Sequence, residues 1–205
     1  SGGFLTISGT PPAATGATQV YPYTVTTQGG NCTPPASLSG TITIDPNDEL
    51  SLLSGTDSQE LCEGNPITNI IYEFSGGAND ANVSGLPAGV NAVVTSNNIT
   101  ISGTPTGPIS TPTTFNYTVT TVGGNCTPAS LLGTITVNPN DLLALSSAVG
   151  TENQVLCDTD SFNAIVYEFS GGATTATVSG LPVGVTFDSS GGFLTISGTP
   201  PAATG

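Results

Sequence analysis

Four cysteines and fourteen carboxylates are the side chains of this chain that could do chemistry, because its 205 residues include no lysine, arginine or histidine. Without histidine or lysine, no serine, threonine or cysteine has a nitrogen base to activate it. Glu73 and Glu168 recur at equivalent positions, but they alternate with the apolar residues of their segments and are expected to face solvent. Acid–base chemistry by carboxylates needs two that converge. We therefore expect no catalytic residue and no enzyme.

The cysteines follow a pattern of two per repeat. Cys32 and Cys126 each follow Gly-Gly-Asn, whereas Cys62 and Cys157 each end a short apolar stretch. The gaps of 30, 64 and 31 residues do not match the close ligand pairs of zinc sites, so no metal ligand is expected among them. Two cysteines per repeat suit a disulfide and an oxidising compartment.

Two pairings are compatible with this pattern. Cys62 with Cys126 would close one repeat, leaving Cys32 and Cys157 to pair outside this sequence; alternatively, Cys32–Cys62 and Cys126–Cys157 bonds would join neighbouring repeats. We favour Cys62–Cys126, because each repeat is then self-contained and the closed loop contributes about 4 kcal/mol. The Cα atoms must lie within about 7 Å. This is possible if the first strand of the repeat is 59–64, but not if it is 50–54.

Two short acidic segments lie at the predicted junctions between repeats. Asp45, Asn47, Asp48 and Glu49 form the first, and Asn140 and Asp141 belong to the second. Calcium takes six to eight oxygen ligands, so the first set suggests a calcium junction. The second has fewer carboxylates because leucines follow Asp141. We expect solvated turns and no cofactor, with calcium as the alternative.

The elements that must position these residues form a tandem repeat. Thr-Ile-Ser-Gly-Thr-Pro occurs at 6–11, 100–105 and 195–200, which are offsets of 94 and 95 residues. The sequence therefore predicts the end of one repeat at 1–46, a complete repeat at 47–140 and the start of a third at 141–205. Residues 1–16 are identical to 190–205, so we expect neither end to be a natural terminus.

Each repeat has the alternation of half-buried strands. Residues 69–74, 98–102, 115–121 and 133–137 of the complete repeat place apolar side chains at every second position, with threonine between them. Gly and Pro turns separate these segments, and no helical periodicity of useful length occurs. We predict an all-β fold, a tandem array of immunoglobulin-like β-sandwich domains. The short, proline-containing junctions predict an elongated rod.

The net charge of −14 limits the partners. Nucleic acid is excluded because binding to phosphate needs Lys and Arg, and anionic lipid surfaces are disfavoured for the same reason. No run of 18 apolar residues and no charged-then-apolar leader occurs, so we expect neither membrane insertion nor a signal peptide within these residues. The expected partners are neighbouring repeats of the same chain.

Three motifs of the complete repeat resemble a known family. Ser-Gly-Leu-Pro-Ala-Gly-Val at 84–90, Ile-Thr-Ile-Ser-Gly-Thr-Pro at 99–105 and Phe-Asn-Tyr-Thr-Val-Thr at 115–120 are similar to the immunoglobulin-like repeats of giant bacterial surface proteins. The cysteine pattern with Gly-Gly-Asn-Cys at 123–126 resembles the version found in Bacteroidota, including gliding-motility adhesins exported by type IX secretion. The resemblance implies an extracellular, cell-surface stalk or filament whose adhesive function resides in other domains.

Three functions therefore remain: a structural adhesin repeat, a module that binds glycan or protein through its loops, and an accessory domain of an enzyme. The first is favoured because core and turns recur while exposed segments, such as 91–97 against 186–192, differ. Tyr23 and Tyr117 are interpreted as structural, each with a hydroxyl that fixes a neighbouring loop. The ligand, if there is one, is not specified by the sequence.

Overall fold

The computed structural model describes residues 3–14, 16–31, 34–157, 160 and 162–201. Within this part of the chain there are fourteen strands and no helix, hence no helix that could span a membrane. The contacts divide the chain into two compact units. Unit 1 comprises Ser1–Gln59, Pro66–Thr104 and Phe115–Ile135, and unit 2 comprises Glu60–Asn65, Pro105–Thr114 and Thr136–Gly205.

One antiparallel sheet of four strands lies entirely in unit 1. Its order is β3 (Asp48–Ser54), β5 (Ile70–Gly76), β8 (Asn98–Gly103) and β7 (Val90–Thr95). Tyr72 pairs with Ile99 and Ile70 with Ile101, so alternate side chains of β5 and β8 share one face. That face is fully buried.

A second sheet of four strands has the order β4 (Ser58–Cys62), β10 (Ser130–Asn138), β9 (Thr113–Val122) and β6 (Asp80–Ser84). Its inward side chains come from β9 and β10, because these strands alternate buried and exposed positions. They are Tyr117, Val119, Thr121, Ile135 and Val137. Threonine occupies half of the outward positions of these two strands.

The two sheets face each other across one apolar core, which confirms the predicted β-sandwich. Tyr72 of β5 and Tyr117 of β9 are both buried, and their hydroxyl oxygens lie 3.0 Å apart. The Tyr117 hydroxyl also donates to the carbonyl oxygen of Asp57 at 3.1 Å. Asp57 lies in the turn between β3 and β4, so the expected role of this tyrosine in fixing a loop is confirmed.

Burial of the tyrosine pair predicts a loss of stability at alkaline pH. Burial raises the pKa of Tyr72 and of Tyr117 above the ordinary value of 10.0, and the charge of Asp57 acts in the same direction. The unfolded chain therefore loses these protons before the folded one, so the free energy of unfolding falls once pH rises above about 10.

Urea unfolding between pH 8 and 11.5 measures this effect. Tyr72→Phe should make the fall of the unfolding free energy with pH less steep, because one of the two buried hydroxyls that titrate is removed. Tyr21→Phe changes an exposed ring and should leave the fall unchanged. A decline equally steep in Tyr72→Phe would contradict the assignment.

Both candidates for the first strand are strands, and each belongs to a different sheet. β3 pairs with β5 in antiparallel register. β4 lies beside β10, where Thr134 N donates to Asp57 O and Glu63 N donates to Asn138 O, both at 2.8 Å. Because the residue numbers rise together on the two strands, β4 and β10 run parallel. Segment 91–97, expected to be an exposed loop, is largely β7, whose short turn to β8 contains Ser96.

The flanking repeats are represented by one part each. In unit 1, β1 (Gln19–Thr26) and β2 (Ser37–Ile44) form an antiparallel hairpin. In unit 2, β11 (Asp141–Leu145), β12 (Ile165–Gly171), β14 (Phe193–Gly198) and β13 (Val185–Ser190) form a sheet in the order β11-β12-β14-β13. This is the order of β3, β5, β8 and β7.

Candidate functional site

The first junction, at 45–48, contains two carboxylates that accept hydrogen bonds from side chains distant in sequence. Asp45 Oδ1 accepts a hydrogen bond from Thr18 Oγ1 at 2.6 Å, and Asp45 Oδ2 accepts one from Asn125 Nδ2 at 2.9 Å. Thr18 precedes β1 of the first repeat, and Asn125 belongs to the Gly-Gly-Asn-Cys turn of the second. Asp45 therefore ties two successive repeats together within unit 1.

The two donors lower the pKa of Asp45 below its ordinary value of 3.8, with the Thr18 bond as the larger cause and the Asn125 bond as the second. The pKa of Asp45 is lower in the folded chain than in the unfolded chain. Its contribution to the free energy of unfolding is therefore present above the unfolded pKa and is lost as pH falls through the folded pKa. We expect carboxyl chemical shifts in an NMR titration to place the Asp45 midpoint below 3.8.

Thr18→Val should move that midpoint upward, and Asn125→Ala should do so by less. Thr24→Val, whose hydroxyl contacts Ser39 instead, serves as the control. A midpoint that Thr18→Val leaves unmoved would contradict the contact.

Asp48 is the buried carboxylate of the junction, with 8% of its surface exposed. Its Oδ2 accepts a hydrogen bond from Thr121 Oγ1 at 2.8 Å, whereas Oδ1 has no partner. The carboxylate packs against Gly77 and Gly124, and a Cβ at Gly124 would overlap it. The second glycine of Gly-Gly-Asn-Cys is therefore required by the space that Asp48 occupies.

The oxygens considered as calcium ligands are directed to different partners. Asp45 and Asp48 bind the donors described above, and Glu49 Oε2 accepts from Ser75 Oγ at 3.1 Å. At the second junction, Asn140 Nδ2 donates to Glu63 O at 3.3 Å, and Asp141 is exposed. No group of three or more Asp, Glu, His or Cys side chains that could hold a metal occurs among the described residues. The geometry brings together no calcium ligand set there.

The expected Cys62–Cys126 disulfide is not formed. Cys62, Cys126 and Cys157 are free thiols, while Cys32 lies outside the described residues. Cys62 precedes Glu63, which bonds Asn138 at the end of β10, whereas Cys126 precedes the start of β10 and its thiol donates to Asp45 O at 3.5 Å. Nine residues of strand, about 26 Å, separate the two positions. The parallel arrangement of β4 and β10 is the physical reason that the favoured pairing fails.

The recurring glutamates lie at equivalent positions of two strands, β5 and β12. Glu73 is half-buried on β5, and its Oε1 accepts from Asn97 Nδ2 at 3.0 Å. Glu168 is exposed at the equivalent position of β12. Each therefore lies on the outer face of its own sheet, as the alternation indicated.

A cleft of about 460 Å³ opens on the core side of the unit 2 sheet. Its apolar lining includes Phe162, Ile165, Val185 and Ile196. The equivalent residues of the complete repeat, Ile67, Ile70, Val90 and Ile101, are buried. The cleft therefore occupies the space that a second sheet fills in the complete repeat.

Sequence reasoning missed the Asp48–Thr121 contact and the role of Thr18. Asp48 and Thr121 are 73 residues apart, and an acidic residue at a junction is more often solvated. One signal was available: Thr27 and Thr121 recur two residues before the Gly-Gly-Asn-Cys turns, and Asp48 and Asp141 recur two residues after the prolines. Joint recurrence of a donor and an acceptor indicates a structural pair.

Comparison with solved structures gives similarities at low sequence identity, among them the three described here. No family model and no curated protein matches the sequence. Among solved structures, domains 4–9 of the surface layer protein SbsC match with a TM-score of 0.32 and 9% identity, over 83% of this chain and 30% of that chain. Extracellular cadherin domains 1–4 of protocadherin gamma B7 match with a TM-score of 0.35 and 14% identity, over 90% of this chain and 49% of that chain. Extracellular cadherin domains 1–5 of protocadherin gamma B2 match with a TM-score of 0.31 and 11% identity, over 91% of this chain and 39% of that chain.

At these TM-scores, the β-sandwich is assigned from the strand order and register of this chain alone. The chain spans less than half the length of each of these structures.

Proposed function

We propose that this chain is part of the stalk of a large extracellular surface adhesin, a filament of repeats that holds adhesive domains away from a bacterial cell. The observation that carries the proposal is the recurrence of one turn geometry in the second and third copies of Thr-Ile-Ser-Gly-Thr-Pro. Gly103 and Gly198 have φ of 134° and 135°, and each leaves no room for a Cβ beside the carbonyl of Gly89 or Gly184. The same local backbone geometry in successive repeats is expected of a chain built from copies of one domain placed end to end.

The junctions recur in the same way. Gly76 and Gly171 both have φ of 70°, and a Cβ at either would overlap the carbonyl oxygen of Asn47 or Asn140. Pro46 and Pro139 are both buried. Two junctions with one local geometry favour a fixed angle from repeat to repeat, which is the requirement of a stiff stalk.

The resemblance described above supports the finer assignment to a Bacteroidota-type adhesin of gliding motility, exported by type IX secretion. The absence of any basic residue supports neighbouring repeats, rather than nucleic acid or lipid, as partners. We also propose that the chain is not an enzyme, since it has no histidine or lysine to act as a base and Glu73 Oε1 accepts a hydrogen bond from Asn97. A module that binds glycan or protein through its turns is the second candidate.

An internal deletion of two repeats, residues 17–205, from the full-length protein tests the stalk. Residues 1–16 and 190–205 are identical, so the deletion leaves the repeat in register. Electron microscopy of labelled cells should show filaments shortened by one fixed step, with adhesion per cell retained. Loss of adhesion in proportion to the deleted repeats, or binding of this chain to a glycan array, would favour the binding module.

A further inference from the structure

β7 is an edge strand of the complete repeat, and one of its two sides is open. It pairs with β8 without interruption, from Val90 opposite Gly103 to Thr95 opposite Asn98. Among the described residues, no strand pairs with it on the other side. An edge strand presents unpaired backbone N–H and C=O groups, with which a strand of another chain can pair.

The exposed side chains of β7 are apolar on both faces of the strand. Val93 is 56% exposed on the outer face of the sheet. Val94 lies on the core side, since it pairs with the buried Ile99, and is still 37% exposed. Natural edge strands usually carry a charge, a proline or a bulge that prevents pairing with another chain. β7 has no charge and no proline, and its register has no bulge.

The distribution of charge leaves this edge of the repeat neutral. Residues 81–140 contain no charged side chain, so β7, β8, β9 and β10 carry none. In the sheet that contains β7, the carboxylates lie on β3 and β5, as Asp48, Glu49 and Glu73. Glu73 is two strands from β7, about 10 Å away. Asp80 of β6 lies at the end of that strand away from the turn to β7.

The third repeat has a charge where the complete repeat has Val93. Val93 of β7 and Asp188 of β13 occupy equivalent positions, since each pairs with the threonine of the Thr-Ile-Ser-Gly motif on the neighbouring strand. A carboxylate in the middle of an edge strand opposes pairing with a second copy, because two like charges would lie opposite each other. β7 lacks this protection at the same backbone position.

We propose that β7 pairs with β7 of a second copy of this chain, so that two sheets of four strands join into one sheet of eight. Charge determines this occupant. Every copy is acidic and has no basic side chain, so two copies repel each other unless an uncharged surface meets its equivalent. A basic partner would instead be attracted to the carboxylates of β3 and β5. The pairing goes beyond the stalk role, because it joins two chains side by side, and its failure leaves end-to-end stacking of repeats unaffected.

The direction of the backbone groups fixes which residues pair. Val90 N donates to Pro87 O at 3.2 Å, so the backbone groups of Val90 do not face β8. Because these groups alternate in direction along an antiparallel strand, those of Ala92 and Val94 also face the open side. Ala92 therefore pairs with Val94 of the second copy, and Val94 with Ala92 of the second copy, and each pair exchanges two hydrogen bonds.

This register covers the exposed apolar side chains. Val93 lies opposite Val93 of the second copy on the outer face, while the Ala92 and Val94 side chains meet on the core side. The same surface is used on both copies, so the two strands run antiparallel about a twofold axis and the contact closes at two copies.

Sedimentation velocity of the 205-residue chain with reductant tests the pairing. The native chain should form dimers of twice 20.2 kDa as its concentration rises. Val93→Asp places two carboxylates opposite each other, and should raise the concentration at which half of the chain is dimeric by about tenfold. The third repeat has aspartate at the equivalent position, so this variant should fold, and its urea unfolding midpoint should match that of the native chain.

Leu53→Asp is the matched control for this substitution. Leu53 lies on β3, the opposite edge strand of the same sheet, and is 55% exposed, against 56% for Val93. The variant adds the same charge at the acidic edge and should dimerise as the native chain does. Equal dimerisation of the two variants, or a native chain that is monomeric at every concentration, overturns the proposal.

Cross-linking with a short bismaleimide tests the register, in a chain whose four native cysteines are replaced by serine. Val93→Cys in this chain should give a covalent dimer, because the two introduced thiols lie beside the twofold axis. Leu53→Cys should give none, since β3 is at the far edge of each sheet. Absence of a covalent dimer from Val93→Cys, or equal yields from the two variants, overturns the proposed register.

Discussion

Replacing Ile101 with alanine is expected to lower the free energy of unfolding of the complete repeat by about 2–5 kcal/mol. Ile101 is fully buried on β8, where it pairs with Ile70 of β5 in the centre of the first sheet. Removing three carbons there leaves a cavity between two sheets that cannot collapse, because hydrogen-bonded strands fix the backbone on both sides. The stability of the repeat depends strongly on this core, because the chain has no basic side chain and so no side-chain ion pair contributes.

Urea unfolding followed by tyrosine emission measures this cost, since the chain contains five tyrosines and no tryptophan. Leu132→Ala is the control, because Leu132 lies on β10 of the same repeat with 73% of its surface exposed. Its unfolding midpoint should match that of the native chain. Equal midpoints for Ile101→Ala and Leu132→Ala would contradict the core described above.

Gly133→Ala is expected to cost about 2–4 kcal/mol, through overpacking and the loss of hydrogen bonds that depend on it. A Cβ at this position of β10 would overlap the ring and hydroxyl of Tyr117. The ring must then move, and its bonds to Asp57 O and to Tyr72 weaken. The φ of Gly133 is not positive, so the cost comes from packing rather than from backbone strain.

Gly30→Ala is the matched control for this substitution, since nothing lies within 4 Å of the added carbon. A double-mutant cycle locates the cause. In a Tyr117→Ala background the ring is gone, and Gly133→Ala should then cost less, with the contact of the added carbon to the backbone oxygen of Asp57 at 2.5 Å as the remaining cost. Additive costs would show that Gly133 acts through something other than the tyrosine.

The strands predicted from alternation were those with apolar residues at every second position. β5, β8, β9 and β10 all have this pattern, and their inward residues were identified correctly. β6 was missed because Ala81 is its only buried residue, and β7 because Val93 and Val94 are exposed on an edge strand. An edge strand packs on fewer neighbours, so its pattern is weaker.

The disulfide pairing depended on information that is not local. The sequence indicated that cysteines recur in pairs, but which ends of the repeat they occupy depends on the direction of β4 relative to β10. That direction is fixed by bonds from Asp57 to Thr134 and from Glu63 to Asn138, between segments more than 70 residues apart. Alternation determines which face a residue is on, and it carries no information about which strand lies beside it.

The parallel contact of β4 and β10 also determines how a repeat would resist tension. When a chain is pulled from its ends, force on the last strand is directed towards its C-terminus and force on the first strands towards their N-terminus. Two adjacent parallel strands are then pulled in opposite directions along their axes. The bonds Thr134–Asp57 and Glu63–Asn138, with the Asn138–Glu60 side-chain bond at 2.7 Å, must break together rather than one after another. Shear of this kind gives a repeat high mechanical resistance with few hydrogen bonds.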